Sequence, residues 1–501
     1  MKSENKDTFA LPQEVVRAAE ILKTAGYEAY LIGGCVRDLL LDRKPKDWDI
    51  TTNAKPEEII AIFPKTFYEN EFGTVGVVNE ESADESLKVI EITPYRLESG
   101  YEDFRHPNVV TFSTKLDDDL ARRDFTINAV ALEIKERKNT NLYKGHLIDN
   151  YEGQKDLADR LIRTVGNPLQ KFSEDALRML RAVRIATELN FIIEENTISA
   201  IKEGSGLLDK IAKERIRDEF VRILLSENPA NGLILSHNLG ILKYISHEIE
   251  NGIGIEQNLA HSYDVWEHSL RSLQHAADKG WTLELRLAAI FHDVAKPKTR
   301  KFSPETKWSF YGHEVVGARM TEKVLKNLKF PQKTIDKVVK LVRWHMFFSD
   351  TEKITLSAVR RLIANVGKEN VWDLMNLRVA DRVGTGRPKE NPYRLRKYKS
   401  MVEEAMHDPV SVGMLKINGN RIMQVTHETS GPRIGHILHA LFEEVIENPK
   451  LNTEEYLEGR TLKLAKFSDK ELELLGGSGK EIIGEIERKT IKNIRDRYHV
   501  E

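Results

Sequence analysis

Between Ala29 and Thr51 the local order of residue types leaves few alternatives. Apolar Ala29 to Ile32 reads as a strand that runs into Gly33-Gly34, Val36 to Leu41 has helical spacing, Lys44-Pro45 turns the chain, and Asp47 to Thr51 reads as a second strand. Paired glycines between a strand and a helix carry no Cβ, so backbone N–H groups at the helix start are open to phosphate oxygens. Upstream, a helix opening at Pro12 places Val15, Ala18, Ala19 and Leu22 on one face and stops at Gly26. Strand-like segments recur at Thr74 to Val78, Lys88 to Thr93 and Ala129 to Ile134, so residues 1–150 read as strands mixed with helices. From Phe172 the apolar spacing becomes three and four, through Leu177, Leu180, Val183 and Ile185 and on to Leu225. The chain is therefore expected to be α+β, with a mixed-sheet N-terminal part followed by helices.

A length of 501 residues implies several domains. Lys and Arg number 76 against 78 Asp and Glu, so no global positive field exists and any nucleic-acid contact must be a local patch. The 40% hydrophobic and 31% charged content suits packed cores and excludes a membrane bundle. Cys35 is the only cysteine, which excludes an internal disulfide and Cys-clustered metal sites. Met1 to Leu11 has no apolar signal core, and a cytoplasmic location is expected. Asn251-Gly252-Ile253-Gly254 breaks the helical run ahead of a His-rich region from His261 to Asp381. Beyond it, Arg387 to Lys399 is the clearest basic patch, with Tyr393 and Tyr398 interleaved, and Lys480 to Tyr498 reads as a solvated helix.

Three constellations carry chemistry. Asp47 and Asp49 alternate across Trp48, so strand geometry turns both carboxylates to one side, where they suit a pair of Mg²⁺ ions. Glu91, in a later apolar strand, offers a third carboxylate, and Arg37 stands beside the glycine turn. In the second, Asp175 and Arg178 are three apart on one helix face. An acceptor beside a donor complements the Watson–Crick edges of cytosine and adenine and mismatches uracil and guanine. The same spacing also describes an ordinary surface ion pair. Third, His268, His292-Asp293, His313, His345 and Asp381 lie in a helical region and offer ligands for one or two transition metals, whereas His261 and His275 have no place in that pattern.

The run Leu31-Ile-Gly-Gly-Cys-Val-Arg-Asp-Leu-Leu-Leu-Asp-Arg-Lys-Pro-Lys-Asp-Trp-Asp-Ile-Thr-Thr resembles the signature of class II tRNA nucleotidyltransferases and bacterial poly(A) polymerases, in the DNA polymerase β superfamily. Arg122-Arg-Asp-Phe-Thr-Ile-Asn-Ala129 resembles that family's second motif, which implies ribose and triphosphate binding by Arg122, Arg123, Asp124 and Asn128 together with Gly33, Gly34 and Arg37. Arg96 to Pro107 resembles the flexible loop needed for adding the terminal A, and Asp149 to Leu157 the hinge between head and neck. Glu174-Asp175-Ala-Leu-Arg178, continuing to Arg181 and Arg184, resembles the motif that selects the incoming nucleotide without a template. Lys213 to Glu219 resembles the neck motif that braces it. His268, then Phe291-His-Asp-Val-Ala-Lys296, then Asp381 resembles an HD phosphohydrolase domain, and Leu415 to Gly419, Gly431 to Gly435 and Asn452-Thr453 resemble the body and tail that grip the tRNA elbow.

The resemblance implies a polymerase-β-type head over residues 1–150, a helical neck over 151–250, an HD domain over 251–386 and a helical RNA-binding body and tail over 387–501. It implies completion or repair of the tRNA 3′-CCA end from CTP and ATP, with Asp47, Asp49 and Glu91 catalytic and Mg²⁺ on the two aspartates. Arg394, Arg396 and Lys397 are expected on RNA, and Ni²⁺, Co²⁺, Mn²⁺ or Fe²⁺ at the HD ligands. No membrane contact or obligate protein partner is implied. The alternatives are an A-adding enzyme or poly(A) polymerase and, in another class, a metal-dependent phosphohydrolase with a nucleotide-sensing head. Val130-Ala131-Leu132 lacks the paired aromatic residues of poly(A) polymerases, and intact Asp47 and Asp49 speak against a mere sensor.

Overall fold

The computed structural model describes residues 7–68, 73–101, 107–257, 262–347, 354–387, 389–406 and 412–475. The chain divides into two compact units, one over residues 1–250 with 327–330, the other over 251–326 with 331–501.

The first unit is built on an eight-stranded sheet. Its strands are β1 (Thr8–Ala10), β2 (Tyr30–Ile32), β3 (Asp49–Thr52), β4 (Thr66–Tyr68), β5 (Val75–Val78) and β6 (Val89–Pro94), then, after a separate two-stranded ribbon of β7 (Arg96–Tyr101) and β8 (Pro107–Phe112), β9 (Ala131–Arg137) and β10 (Leu142–Ile148). The order is β1-β10-β9-β2-β3-β6-β5-β4. Every neighbouring pair is antiparallel except β3 and β6. That parallel pair needs a crossover, supplied by helix Pro56–Ile62 and the β4–β5 hairpin. Its register sets Asp49 beside Glu91 and buries Ile50 with Ile92 on the other face.

Helix Gln13–Thr24 covers that apolar face through buried Val15, Val16, Ala18, Ala19 and Leu22, as the spacing predicts. The β2 strand and the glycine turn form where expected, while the helix after them begins earlier, at Gly34, and ends at Leu40. The second strand starts at Asp49 rather than Asp47, because Lys46-Asp47 still bends away from Pro45. Period-two arguments missed β1 and β4, three-residue strands at the two edges of the sheet, and β10, whose apolar alternation is interrupted by Lys144, Gly145 and His146. Arg96 to Pro107, expected as a loop, enters the β7–β8 ribbon.

Helices Pro168–Glu174, Leu177–Leu189, Glu195–Gly204, Lys213–Leu225, Pro229–Asn238 and Leu242–Glu250 complete this unit. The helix expected to run through Asp175 is broken there: Asp175 is extended at φ −141° and separates two helices.

In the second unit, helix Leu283–Phe291 is buried all round from Leu285 to Phe291 and is therefore central. Helices Val265–Asp278, Gln332–Trp344 and Val371–Gly384 pack on it. A Cβ on Gly384 would sit 2.2 Å from the Ser272 hydroxyl and 2.8 Å from the His268 carbonyl. The close approach of those two helices therefore requires glycine. A second core, from Leu415 to Leu472, joins helices Gly419–Thr426, Pro432–Glu447, Glu454–Leu464 and Asp469–Leu475. Among the described residues no helix is long and apolar enough to cross a membrane. His261, the segment Lys480 to Tyr498 and part of the Arg96–Pro107 segment lie outside the described residues.

Candidate functional sites

The glycine turn of the first unit gathers the expected side chains. Gly33 has φ +79°, a conformation L side chains avoid, and a Cβ there would lie 3.1 Å from an Arg123 guanidinium nitrogen and 3.2 Å from Asp49 Oδ2. A Cβ on Gly34 would lie 3.6 Å from Arg37 and 3.8 Å from Asp47 Oδ1. Both aspartates thus face the turn, although Asp47 precedes the strand. Trp48, between them, is buried in the head core.

The arginines are held before any ligand arrives. Asp119, fully buried, accepts from Arg122 at 2.6 and 2.8 Å and from Arg123 at 3.0 and 3.3 Å. Asp124 accepts from Arg181 at 2.6 and 2.9 Å, from the Asn128 amide at 3.1 Å and from the Phe125 N–H at 2.8 Å. Arg37 donates to the Asn128 carbonyl oxygen at 3.1 Å and pairs with Asp38. Burial alone would raise the Asp119 and Asp124 pKa values, but Arg122 with Arg123, and Arg181, override it and hold both carboxyls below the usual range. Asp119 was not singled out from sequence, although its spacing of three and four to the two arginines was the available signal.

Asp175 and Arg178, read from the sequence as neighbours on one helix face, are not partnered with each other. The chain break at Asp175 turns its carboxylate to Arg215, at 2.8 and 3.2 Å, while Arg178 pairs with Glu174 at 2.6 Å and donates to the Lys171 and Arg122 carbonyls. Each group is clamped by its own partner. Arg184 is taken up by Glu219 at 2.6 Å and Glu188 at 2.8 Å, a buried brace between helices Leu177–Leu189 and Lys213–Leu225.

In the second unit, buried His268, His292 and Asp381 form one triad and buried Asp293, His313 and His345 another, each with ligand atoms within 4.8 Å of one another. Asp293 joins them: Oδ2 is 3.1 Å from His268 and 3.3 Å from His292, and Oδ1 is 3.3 Å from His313 and 3.6 Å from His345. The Nδ1–H groups of His292, His313 and His345 donate to the Ala289, Phe310 and Val342 carbonyls at 2.8, 2.7 and 2.7 Å. That tautomer leaves Nε2 lone pairs facing inward, with Nε2 atoms only 3.0 Å apart in one pair and 3.2 Å in the other. Such a set fits cations. Burial acts to lower the His268 pKa, yet Asp293 and Asp381 raise it to about 9, whereas burial keeps His345 near 4. Lys296, 2.6 Å from Asp293, and Arg378, 2.6 Å from Asp381, were not singled out, though each stands three residues from its partner. His275 packs edge-on against Trp281, outside the cluster.

The basic residues after Asp381 have separate surroundings. Arg394 lines the cavity over the HD ligands, Arg396 donates to the Asn391 carbonyl at 3.2 Å, and Lys397 lies 5.9 Å from the Tyr393 ring centroid.

Three domain models match parts of the chain. Residues 29–163 match the poly A polymerase head domain, 190–252 the probable RNA and SrmB-binding site of polymerase A, and 265–385 the HD domain. A CCA-adding enzyme of Enterococcus faecalis is 32% identical over 453 residues, covering 89% of this chain and 95% of that one. The chain belongs to the CCA-adding enzyme family. A CCA-adding enzyme of Limosilactobacillus reuteri is 48% identical over 213 residues, 42% of this chain, which here spans about half the relative's length (49%). The crystal structure of the Bacillus stearothermophilus CCA-adding enzyme in complex with CTP superposes with a TM-score of 0.65 at 28% identity, over 90% of this chain and 96% of that one. The CCA-adding family thus accounts for a mixed-sheet head with nucleotidyltransferase residues, and the second unit carries an HD ligand set.

The depressed Asp119 and Asp124 carboxyls make an acid-sensitive prediction. A carboxyl whose folded pKa lies below its unfolded value of about 3.9 stabilises the fold above that pH and loses the contribution as pH falls toward the folded value. Asp124→Asn should therefore cost roughly 1–3 kcal/mol near pH 7. The gap between its melting temperature and the wild type's should narrow below about pH 4. Thermal melts of both proteins from pH 7 to pH 3 check this, and a gap independent of pH overturns it.

Proposed function

We propose that this chain completes or repairs the 3′-CCA end of tRNA, using CTP and ATP, in the cytoplasm. The observation that carries the reading is the meeting of Asp47, Asp49 and Arg123 at a turn whose two residues have no Cβ. Asp47 and Asp49 would hold Mg²⁺, with Glu91 the neighbouring carboxylate in register. Bound there, Mg²⁺ supplies charge neutralisation for the triphosphate and acidifies the attacking hydroxyl. The turn's backbone N–H groups and Arg37, Arg122 and Arg123 grip the triphosphate, and Asp124 and Asn128 the ribose. The primer 3′-hydroxyl attacks the α-phosphorus and the bond to pyrophosphate breaks. Asp47→Ala and Asp49→Ala should each abolish incorporation of both nucleotides by folded protein. Assays on tRNA transcripts lacking one, two or all three terminal nucleotides, with CTP or ATP alone, test this and separate an A-only enzyme. C addition surviving in either variant overturns the assignment.

Asp175 and Arg178 read the base in this scheme, as an acceptor and a donor pre-set by Arg215 and Glu174 instead of by each other. Arg181 and Arg184 hold the helix that carries Arg178 to Asp124 and Glu219. Replacing Asp175 or Arg178 by alanine should raise UTP or GTP use relative to CTP and ATP. Misincorporation measured under competition decides the role, and a fall in rate with unchanged base choice would leave only support for the helix.

The HD ligands make the second unit a separate phosphohydrolase. Imidazoles favour Ni²⁺, Co²⁺, Mn²⁺ or Fe²⁺, which supply an acidified water and a Lewis acid for phosphate. Lys296, on the cavity wall, adds a fixed positive charge beside the reacting phosphate. His292→Ala combined with Asp293→Ala should remove bound transition metal and the hydrolysis of cyclic phosphodiesters while nucleotide addition persists. Metal analysis and hydrolysis assays across these ions check it, and absence of both metal and hydrolysis in the wild type would leave an HD fold acting as a spacer. Arg396 and Lys397 remain the proposed tRNA phosphate contacts of the basic segment.

A further inference from the structure

The HD ligands open into a cavity of about 840 Å³, near the top of the roughly 300–1,000 Å³ range of small-ligand sites and more than one phosphate group needs. Its walls are unusually positive. Arg382, Arg387 and Arg394 line it alongside Arg378, and the acids on the same walls are Asp293 and Asp381, both HD ligands, and Glu314. Arg378 is paired with Asp381, and Arg382 donates to the Lys389 carbonyl at 2.7 Å and has no ion pair among the described residues. Arg387 and Arg394 are exposed and have no ion pair among the described residues.

At the same cavity, Tyr311 is 91% exposed and Tyr393 41% exposed, so large aromatic surfaces are left in water beside the arginines. Guanidinium groups match phosphate oxygens, and aromatic faces stack on nucleobases whatever their identity. A single phosphoester would engage only the HD ligands and leave this second positive cluster unused.

Resting on the hydrolase reading above, we propose that Arg382, Arg387 and Arg394 form a second phosphate subsite of the HD cleft, so that its substrate is a nucleotide carrying at least two phosphates. One phosphate sits at the HD ligands and is hydrolysed: water oxygen bonds to phosphorus, one phosphorus–oxygen bond to ribose breaks, and that ribose oxygen takes the proton. The other is held by the arginines, with the base against Tyr311 or Tyr393. A free nucleotide and an RNA terminus both present this chemistry, the second phosphate being a 5′-phosphate in one and the preceding phosphodiester in the other.

The test uses the full-length, Mn²⁺-loaded chain and three probes sharing one scissile bond. These are adenosine 2′,3′-cyclic phosphate, its 5′-phosphorylated form, and the dinucleotide ApA ending in a 2′,3′-cyclic phosphate. In the wild type, kcat/KM for a two-phosphate probe should exceed that for the one-phosphate probe by about tenfold or more, the value of one charge-assisted hydrogen bond. Arg387→Ala with Arg394→Ala should bring that ratio close to one through KM, with metal content retained, and the corresponding lysine variants should recover part of it. Preference for the 5′-phosphorylated nucleotide identifies a free nucleotide as the source, and preference for ApA an RNA end. A wild-type ratio of about one, or a ratio that the arginine variants leave unchanged, overturns the subsite. Equilibrium binding of the same probes reads it independently of turnover. If nothing is hydrolysed, the hydrolase reading falls, and the subsite stands or falls on whether the arginine variants weaken binding of the two-phosphate probes selectively.

Discussion

The buried carboxylate of Asp119 is the constraint on which the first unit's site depends. A carboxylate removed from water is tolerated only with good partners, and here the partners are two adjacent arginines, of which Arg123 lies against the glycine turn. Desolvation therefore sets the direction of both guanidinium groups with no ligand present. Asp124 repeats the device one step later, tying Arg181 of the helical region to the segment that carries Asn128. Charges on this site are preorganised by other charges, and little reorganisation is left for the reaction.

The second unit also buries a carboxylate, with imidazoles in place of guanidinium groups. Five buried ligand groups surround Asp293, which serves both triads, and three backbone carbonyls choose the tautomer of three imidazoles. Helix ends supply much of this precision. His292 and His345 each cap a helix, and His313 opens one, so the main-chain geometry of the termini orients the rings. Two ligand helices come into close contact where Gly384 meets His268 and Ser272.

Local patterns were legible and partnerships were not. The strand, glycine turn and helix from Tyr30 to Leu40 follow from periodicity and Cβ chemistry, and so does the amphipathic helix Gln13–Thr24. The HD ligands were legible as residue types, and the structure brings all six together. The placement of Asp175 and Arg178 on one helix face was misread, because spacing of three implies a shared face only if the helix is unbroken, and the chain is extended at Asp175. Arg215, forty residues along, was the true partner. No local rule points across that distance. The basic segment beginning at Arg387 was legible as charge, which is local information, whereas the cavity that Arg394 lines is not.

Cys35, the chain's only thiol, lies beneath the nucleotide turn, fully buried, with its Sγ–H donated to the Ile32 carbonyl at 3.1 Å and its pKa pushed up to about 12 by burial first and by Asp49 next. The thiolate is the species that reacts with alkylating reagents, so the folded head is chemically silent toward them. Two uses follow. A cysteine introduced at any exposed position becomes the single addressable handle for a fluorophore or spin label, with no background to engineer away. Conversely, the slow modification of Cys35 in the unaltered chain is a clock for opening of the head, since the reagent reaches sulfur only in molecules whose nucleotide turn has come apart.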